Sequence, residues 1–144
     1  MQAKRLSENL LVSSQLLVTD VATAVALGIR SIINNRPDGE APDQPSSAEI
    51  EAAAKAAGLG YRHIPVLPGL ILDEHVDAFS AAISELDSPI LAFCRTGSRS
   101  ASLWALFAAA DKPVSDLLSI TRNAGCDLIG LKARVDAQRQ NRTS

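Results

Sequence analysis

The sequence has few cysteines, few aromatic residues and no excess of basic charge. Two cysteines in 144 residues are too few for a disulfide framework, so we expect reduced thiols and a cytoplasmic protein. No apolar run approaches the ~18 residues of a membrane span, and the start of the chain lacks the apolar core of a signal peptide. Aromatic residues make up 3% and the formal net charge is -2. These values argue against nucleic acid as a partner, and we expect no membrane partner either.

Short apolar segments alternate with helical patterns along the chain, which predicts an α/β fold with a mostly parallel sheet of about four strands flanked by helices. The strands are predicted at 10–13, 29–34, 61–66 and 89–94, the first of them at an edge. The helices are predicted at 20–27, 47–57, 73–86, 100–110, 114–123 and 126–139, with Thr19, Ser46 and Asp73 as N-caps. We expect a single domain over 1–144, with about 140–144 as a flexible tail.

The segment 89–100 (PILAFCRTGSRS) organises the predicted fold. An apolar strand ends at Cys94, a tight polar loop follows, and an apolar-periodic helix begins. The N–H groups of such a loop and the helix N-terminus place partial positive charge beside the sulfur, which stabilises a thiolate. We therefore predict that Cys94 is a nucleophile and that Arg99 clamps an oxyanion. The other residues of the predicted anion-binding loop are Arg95, Thr96, Gly97, Ser98 and Ser100.

Three residues of this loop have more specific predictions. Gly97 allows a tight turn with positive φ. Arg95 points outward, either to recognise an anionic substrate or simply to be solvated. Ser100 either donates a hydrogen bond to the sulfur or caps the helix.

Ligand sites in parallel sheets lie outside the carboxyl ends of the strands, so the loops after the last three predicted strands should meet at one rim. Arg36, Asp38, Asp73 and His75 are the rim candidates. Arg36 and Asp38 either take part in the site or form an ion pair that holds the long loop. Asp73 is either a general acid or a helix cap, and His75 is a surface helix residue.

The remaining singular residues are expected to be structural. His63 lies in a strand and is predicted to be a hydrogen-bonded core residue. Cys126 either resolves an oxidised Cys94 or packs in the core, and core packing is the simpler interpretation. Trp104 is predicted to lie in the core. The histidines and cysteines lack the spacing of metal ligands, so neither a metal nor a cofactor is predicted.

Three segments together resemble a known family: 36–40 (RPDGE), 61–66 (YRHIPV) and 94–100 (CRTGSRS). They are similar to the bacterial phosphatase-like domain found also in beta-lactamase hydrolase-like proteins, over about residues 10–137. That family is similar in fold to dual-specificity and tyrosine phosphatases. The resemblance implies a cysteine-nucleophile α/β domain, described as a hydrolase and sometimes as a sulfur transferase.

One departure leaves the reaction open. The tyrosine-phosphatase signature has its arginine at the sixth position after the cysteine, whereas Arg99 is at the fifth, as in the rhodanese loop that holds a persulfide. A phosphatase also needs a general acid, for which Asp38 and Asp73 are the candidates. The first hypothesis is phosphomonoester hydrolysis through a Cys94 thiophosphate, acting on a small anionic substrate or a phosphorylated protein. The alternatives are sulfur transfer through a Cys94 persulfide and anion binding without turnover.

Overall fold

Five strands form one mixed sheet at the centre of the computed structural model, which describes the backbone of residues 1–143 and the side chains of residues 1–138. The strands, in chain order, are β1 (Lys4–Arg5), β2 (Leu10–Ser13), β3 (Ser31–Asn34), β4 (Gly60–His63) and β5 (Ile90–Phe93). Their spatial order is β1-β2-β5-β3-β4. β2, β5, β3 and β4 are parallel to their neighbours, and β1 is antiparallel to β2.

The predicted α/β fold and its four parallel strands are confirmed, with two corrections. The first predicted strand, β2, is not at an edge, because the two-residue β1 pairs with it. A strand that short carries no alternating pattern from which it could have been predicted. The strand predicted over 61–66 ends at His63, two residues before Pro65, whose ring nitrogen cannot donate to a ladder.

The helices are α1 (Asp20–Ala26), α2 (Ser47–Ala56), α3 (Asp73–Glu85), α4 (Ser98–Ala108), α5 (Val114–Asn123) and α6 (Lys132–Thr143), with a 3₁₀ turn at Ile129–Leu131 before the last. The helix predicted from Cys126 therefore begins only at Lys132. α6 extends past its predicted end to Thr143. The predicted flexible tail over 140–144 falls on side chains outside the described residues and stays a prediction. Within residues 1–143, no helix is long and apolar enough to cross a membrane.

Only one of the three predicted N-caps is confirmed. Ser46 and Glu49 form the predicted capping box at the start of α2. Thr19 has helical backbone angles and makes no side-chain cap. Asp73 is not the cap of α3 but its first residue, and Leu72 is at the N-cap position, where its backbone N–H donates to Nδ1 of His75 at 3.0 Å.

The sheet separates two apolar layers, and β5 contributes to both. Ile90 and Ala92 pack with α3, α4 and α5, whereas Leu91 and Phe93 pack on the side of α1 and α2. This alternation follows from the two-residue period of a strand. A strand buried on both faces reads as a continuous apolar run, which is why the strand before Cys94 is recognisable in the sequence.

The register of the parallel strands places three loops at one rim. Asn34 at the end of β3 pairs with His63 of β4 and with Phe93 of β5. We call the three segments that follow the β3 loop (35–46), the β4 loop (64–72) and the cysteine loop (94–97). Asn35 joins them, because its backbone N–H donates to Phe93 O at 2.8 Å and its Nδ2 donates to Ile64 O at 3.0 Å.

Candidate active site

The cysteine loop encloses the buried sulfur of Cys94 at the carboxyl end of the sheet. Cys94 follows β5 and is fully buried. Gly97 has a φ of 97° and its backbone N–H donates to the Cys94 Sγ at 3.1 Å. The backbone N–H of Gln15, just after β2, donates to Arg95 O at 3.2 Å and fixes the loop from outside. The predicted order of strand, cysteine, loop and helix is confirmed, although α4 begins at Ser98 rather than at Ser100.

Arg99 lies beside this sulfur with one side of its guanidinium already occupied. Nη1 and Nη2 donate to the two carboxylate oxygens of Glu40, each at 2.8 Å, and Nη1 also donates to Val66 O at 2.8 Å. Nε–H and the second Nη2–H have no oxygen or nitrogen acceptor among the described residues, and the guanidinium also hydrogen-bonds with the Cys94 thiol. These two donors share one edge of the planar group, so that edge is suited to a bidentate oxyanion.

The pKa of Arg99 is raised above its usual value. The hydrogen bonds to Glu40 contribute most to this increase, burial opposes it, and charge attraction from Cys94 adds to it. Arg99 is therefore a permanent cation that faces both a carboxylate and the thiol.

Glu40 is the site residue for which the sequence predicted no role. Its Oε1 also accepts from Nε of Arg36 at 3.0 Å, so one carboxylate bridges two buried arginines. Hydrogen bonding from Arg99 lowers the pKa of Glu40 against the effect of burial, and Arg36 lowers it further. The only signal in the sequence was that the rim loop carrying Arg36 also carries a carboxylate four residues later.

Arg36 stabilises the β3 loop. Its Nη1 donates to Oε1 of Gln15 at 3.0 Å, and its carbonyl oxygen lies 2.9 Å from Nε2 of His63. The ion pair considered for Arg36 and Asp38 is wrong, since the partner of Arg36 is Glu40. His63 is hydrogen-bonded, as predicted, but the prediction that it lies in the core is wrong, because it is exposed at the end of β4.

The two predicted general acids are engaged elsewhere. Oδ1 of Asp38 accepts from the backbone N–H of Ser47 at 2.7 Å, at the start of α2. Oδ1 of Asp73 accepts from Nη2 of Arg134 at 3.2 Å, and the Asp73 side chain is 82% exposed. Their catalytic roles stay predictions, with no described contact that supports either.

Of the hydroxyl groups in and next to the cysteine loop, that of Ser100 is buried and those of Thr96 and Ser98 are exposed. Oγ of Ser100 donates to Oδ1 of Asn35 at 2.8 Å. Ser100 therefore neither donates to the sulfur nor caps the helix, which corrects both predictions. Thr96 and Ser98 are exposed, and Oγ1 of Thr96 donates to Oγ of Ser98 at 3.2 Å.

Cys126 and Trp104 are buried in the core layer behind α4, as predicted. Burial raises the pKa of the Cys126 thiol, and the charge of Cys94 raises it further, whereas a hydrogen bond with Ser98 lowers it. Cys126 thus titrates at higher pH than an ordinary thiol, which disfavours it as a nucleophile.

A pocket of about 370 Å³ opens beside the cysteine loop. It is lined by Pro68, Gly69 and Ile71 of the β4 loop, by Arg95, Thr96, Ser98, Arg99 and Ser102, and by Leu131. Of the predicted site residues, the structure brings Cys94, Arg95, Thr96, Gly97, Ser98 and Arg99 together. Asp38, Asp73 and Ser100 do not line the pocket, and neither do the buried Cys94 and Gly97 beneath it; Arg36 is linked to the lining residue Arg99 through Glu40.

A buried cysteine at the carboxyl end of a parallel sheet, enclosed by a loop that leads into a helix, defines a phosphatase-like α/β domain with a cysteine loop. The model of the family "Beta-lactamase hydrolase-like protein, phosphatase-like domain" matches residues 2–111, and the chain belongs to this family. The resemblance of the three sequence segments is confirmed.

Proteins of known sequence and structure agree with this assignment. A beta-lactamase hydrolase-like protein of Agrobacterium fabrum is 37% identical over 130 residues, which cover 89% of this chain and 30% of that longer protein. The chain thus spans less than a third of that relative. A solved structure described as a candidate phosphatase from Neisseria meningitidis is 37% identical, with a TM-score of 0.86 and coverage of 94% of this chain and 96% of that one.

A more distant solved structure shares the fold alone. PTPMT1 in complex with PI(5)P is 13% identical, with a TM-score of 0.75 and coverage of 98% of this chain and 96% of that one. The predicted fold of the dual-specificity and tyrosine-phosphatase type is therefore confirmed.

Proposed function

We propose that this domain hydrolyses phosphomonoesters with Cys94 as the covalent nucleophile. The Cys94 thiolate attacks phosphorus and forms an S–P bond as the P–O ester bond breaks, and the leaving oxygen takes the electron pair and a proton from solvent. Water then attacks phosphorus and returns a proton to solvent, the S–P bond breaks with its electron pair on sulfur, and inorganic phosphate and the Cys94 thiolate are released. The observation that carries the proposal is the Gly97 N–H donated to the Cys94 Sγ at 3.1 Å, beside a pocket lined by Arg95 and Arg99. Small phosphomonoesters and phosphorylated proteins are the proposed substrates.

Arg99 supplies the electrostatic stabilisation in this mechanism. Its Nε–Nη2 edge can donate two parallel hydrogen bonds to the equatorial oxygens of a phosphoryl group in the transition state. Because Glu40 holds the other side of the guanidinium, the arginine is oriented before substrate arrives. Such preorganisation is the means by which a fixed dipole or charge accelerates a reaction.

Sulfur transfer is the second candidate, and two observations favour it. Arg99 follows Cys94 at the fifth position, so the cysteine loop is short, and neither Asp38 nor Asp73 lines the pocket. In this reaction the Cys94 thiolate attacks the sulfane sulfur of thiosulfate, the S–S bond breaks, and sulfite leaves with the electron pair. Cyanide then takes the sulfur as thiocyanate and restores the thiolate. Sulfite is a stable anion, so no general acid is required.

Two assays on the same protein preparations test both candidates. Phosphate release from phenyl phosphate and thiocyanate formation from thiosulfate and cyanide are measured for wild type, Cys94→Ser and Cys126→Ser. We expect Cys94→Ser to lose about 1,000-fold or more of whichever turnover is present. Cys126→Ser is the matched control, a second buried thiol whose loss should change turnover by less than about threefold.

Each outcome selects one hypothesis. Phosphate release that requires Cys94 supports the hydrolase, and thiocyanate formation that requires Cys94 without phosphate release supports the sulfurtransferase. Phosphate release that survives Cys94→Ser contradicts the covalent mechanism. Anion binding with no turnover in either assay identifies a binding module.

A further inference from the structure

The pocket beside the cysteine loop has two chemically different parts. Its polar part comes from the cysteine loop and α4, and includes Arg95, which has no ion-pair partner among the described residues. Its apolar part consists of Pro68 and Ile71 of the β4 loop together with Leu131. No acidic side chain is among the described residues that line it. A lining of this kind suits a ligand with an anionic end and an apolar end.

The apolar part continues outside the pocket. Leu67, Leu70 and Leu72 are 53%, 48% and 41% exposed, and Ile129 is 55% exposed. Each of them is one or two residues along the chain from an apolar lining residue, and none of them lines the pocket itself. Exposed leucine and isoleucine in the segments that form a pocket are consistent with an apolar binding surface there.

The C-terminal segment builds and holds this apolar part. Leu131 lies in the turn before α6, and Arg134 on α6 donates to Ile71 O and, at 3.2 Å, to Asp73. Both residues lie beyond residue 111, where the match to the family model ends. The polar part of the pocket therefore lies within the residues that the family model matches, whereas Leu131 of the apolar lining lies after them.

We propose that the pocket binds a tetrahedral oxyanion carried on an unbranched aliphatic body, with the anion at the cysteine loop and the body between Ile71 and Leu131. This inference rests on the proposed function for the position of the anion. An aliphatic body is favoured over an aromatic one because none of the described lining residues is aromatic, so a ring has no stacking partner. A pocket of about 370 Å³ is within the range that binds small molecules.

Binding of phosphonates to the wild-type chain tests the inference without any turnover. The C–P bond is not an ester, so methylphosphonate and hexylphosphonate stay intact whether or not the domain is a phosphatase. Each buried methylene tightens binding by up to about fourfold. We therefore expect the dissociation constant of hexylphosphonate to be at least about tenfold lower than that of methylphosphonate. Methanesulfonate and hexanesulfonate repeat the comparison with a sulfonate head group, which resembles the sulfonyl end of thiosulfate, the substrate of the sulfurtransferase hypothesis.

Variants assign the effect to the apolar lining. Leu131→Gln and the exposed-site variant Pro68→Ser should each reduce the preference for the hexyl chain to about threefold or less, with methylphosphonate binding unchanged. Leu27→Gln is the control, since Leu27 is 55% exposed at the far side of the sheet, at the end of α1, and both affinities should stay at wild-type values. Thermal unfolding establishes whether each variant is folded. If Leu131→Gln does not fold, Pro68→Ser alone tests the inference.

A chain-length preference in either head-group series that is lost in the lining variants supports the inference. Equal affinities for the short and long members of both series overturn it, as does a preference that persists in folded Leu131→Gln and Pro68→Ser. Hexylphosphonate binding without phosphate release from hexyl phosphate would refute the hydrolase and leave the ligand class in place.

Discussion

The β3 loop and the β4 loop leave the same rim of the sheet but use opposite chemistry. The β3 loop buries Asn35 and Arg36 and directs Glu40 to Arg99. The β4 loop exposes Leu67, Leu70 and Leu72, and it contacts charged side chains through its carbonyl oxygens. The comparison indicates that the β3 loop orients the charges of the site, whereas the β4 loop supplies apolar surface and no carboxylate.

The largest expected effect is loss of the carboxylate that bridges the two buried arginines. Glu40→Gln leaves Arg36 and Arg99 without a counter-charge, and we expect the free energy of unfolding to fall by about 2–3 kcal/mol, a value reduced because the side chain is 19% exposed. Urea unfolding measures it. The matched control is Glu51→Gln, which breaks an exposed pair with Lys55 and should cost less than about 0.5 kcal/mol.

In the β4 loop, Leu70→Gln should change the free energy of unfolding by no more than about 0.5 kcal/mol, because the side chain is 48% exposed. The comparison between the loops fails if Leu70→Gln and Glu40→Gln have equal effects on stability.

The stabilising contribution of Glu40 should also decrease at acidic pH, which is a smaller effect. The folded-state pKa of Glu40 is lowered from 4.5, chiefly by the hydrogen bond with Arg99. Its contribution to stability is therefore complete above pH 4.5 and is lost as the pH falls through the lowered value. We expect the difference in unfolding free energy between wild type and Glu40→Gln to be constant near neutral pH and to shrink toward pH 3. A difference that stays constant down to pH 3 would show that the charge of Glu40 is not its stabilising property.

Modest effects are expected at the two aspartates. Asp38→Ala removes the acceptor for the Ser47 N–H and should cost about 1 kcal/mol, whereas Asp73→Ala breaks an exposed pair and should cost less than about 0.5 kcal/mol. Asp73→Asn should leave phosphate release from phenyl phosphate within about twofold of wild type. A loss of tenfold or more, together with loss of the alkaline limb of the pH–rate profile, would make Asp73 the general acid and would end the contrast between the two loops.

Local pattern was enough to predict the elements and the cysteine loop. The apolar strand before Cys94, the positive φ of Gly97 and the capping box at Ser46 and Glu49 depend on neighbours in the chain, which the sequence displays directly. The errors also have local causes. Thr19 and Asp73 are plausible caps by residue type, but Thr19 makes no side-chain cap and Asp73 is already the first helical residue, after Leu72.

The partners of the charged rim residues could not be predicted, because they are distant in sequence. Glu40 and Arg99 are fifty-nine positions apart, and Arg134 reaches Ile71 across sixty-three. Several carboxylates on or near the rim could have paired with Arg36 or Arg99, and nothing in residue type distinguishes Glu40 from Asp38. Only packing, which brings the β3 loop over the start of α4, selects the partner.

The sequence by itself determined the α/β alternation, the family and the position of the reactive thiol, since these follow from periodicity and from a contiguous motif. The tertiary structure decided which donors of Arg99 are available to a ligand. It also decided that Asp38 accepts a hydrogen bond from the start of α2 and that Asp73 accepts one from Arg134 on α6. It further decided that the apolar lining beside the cysteine loop comes partly from the turn before α6. The physical reason is that a hydrogen bond or an apolar contact depends on distance in space, and the chain order of these residues does not encode that distance.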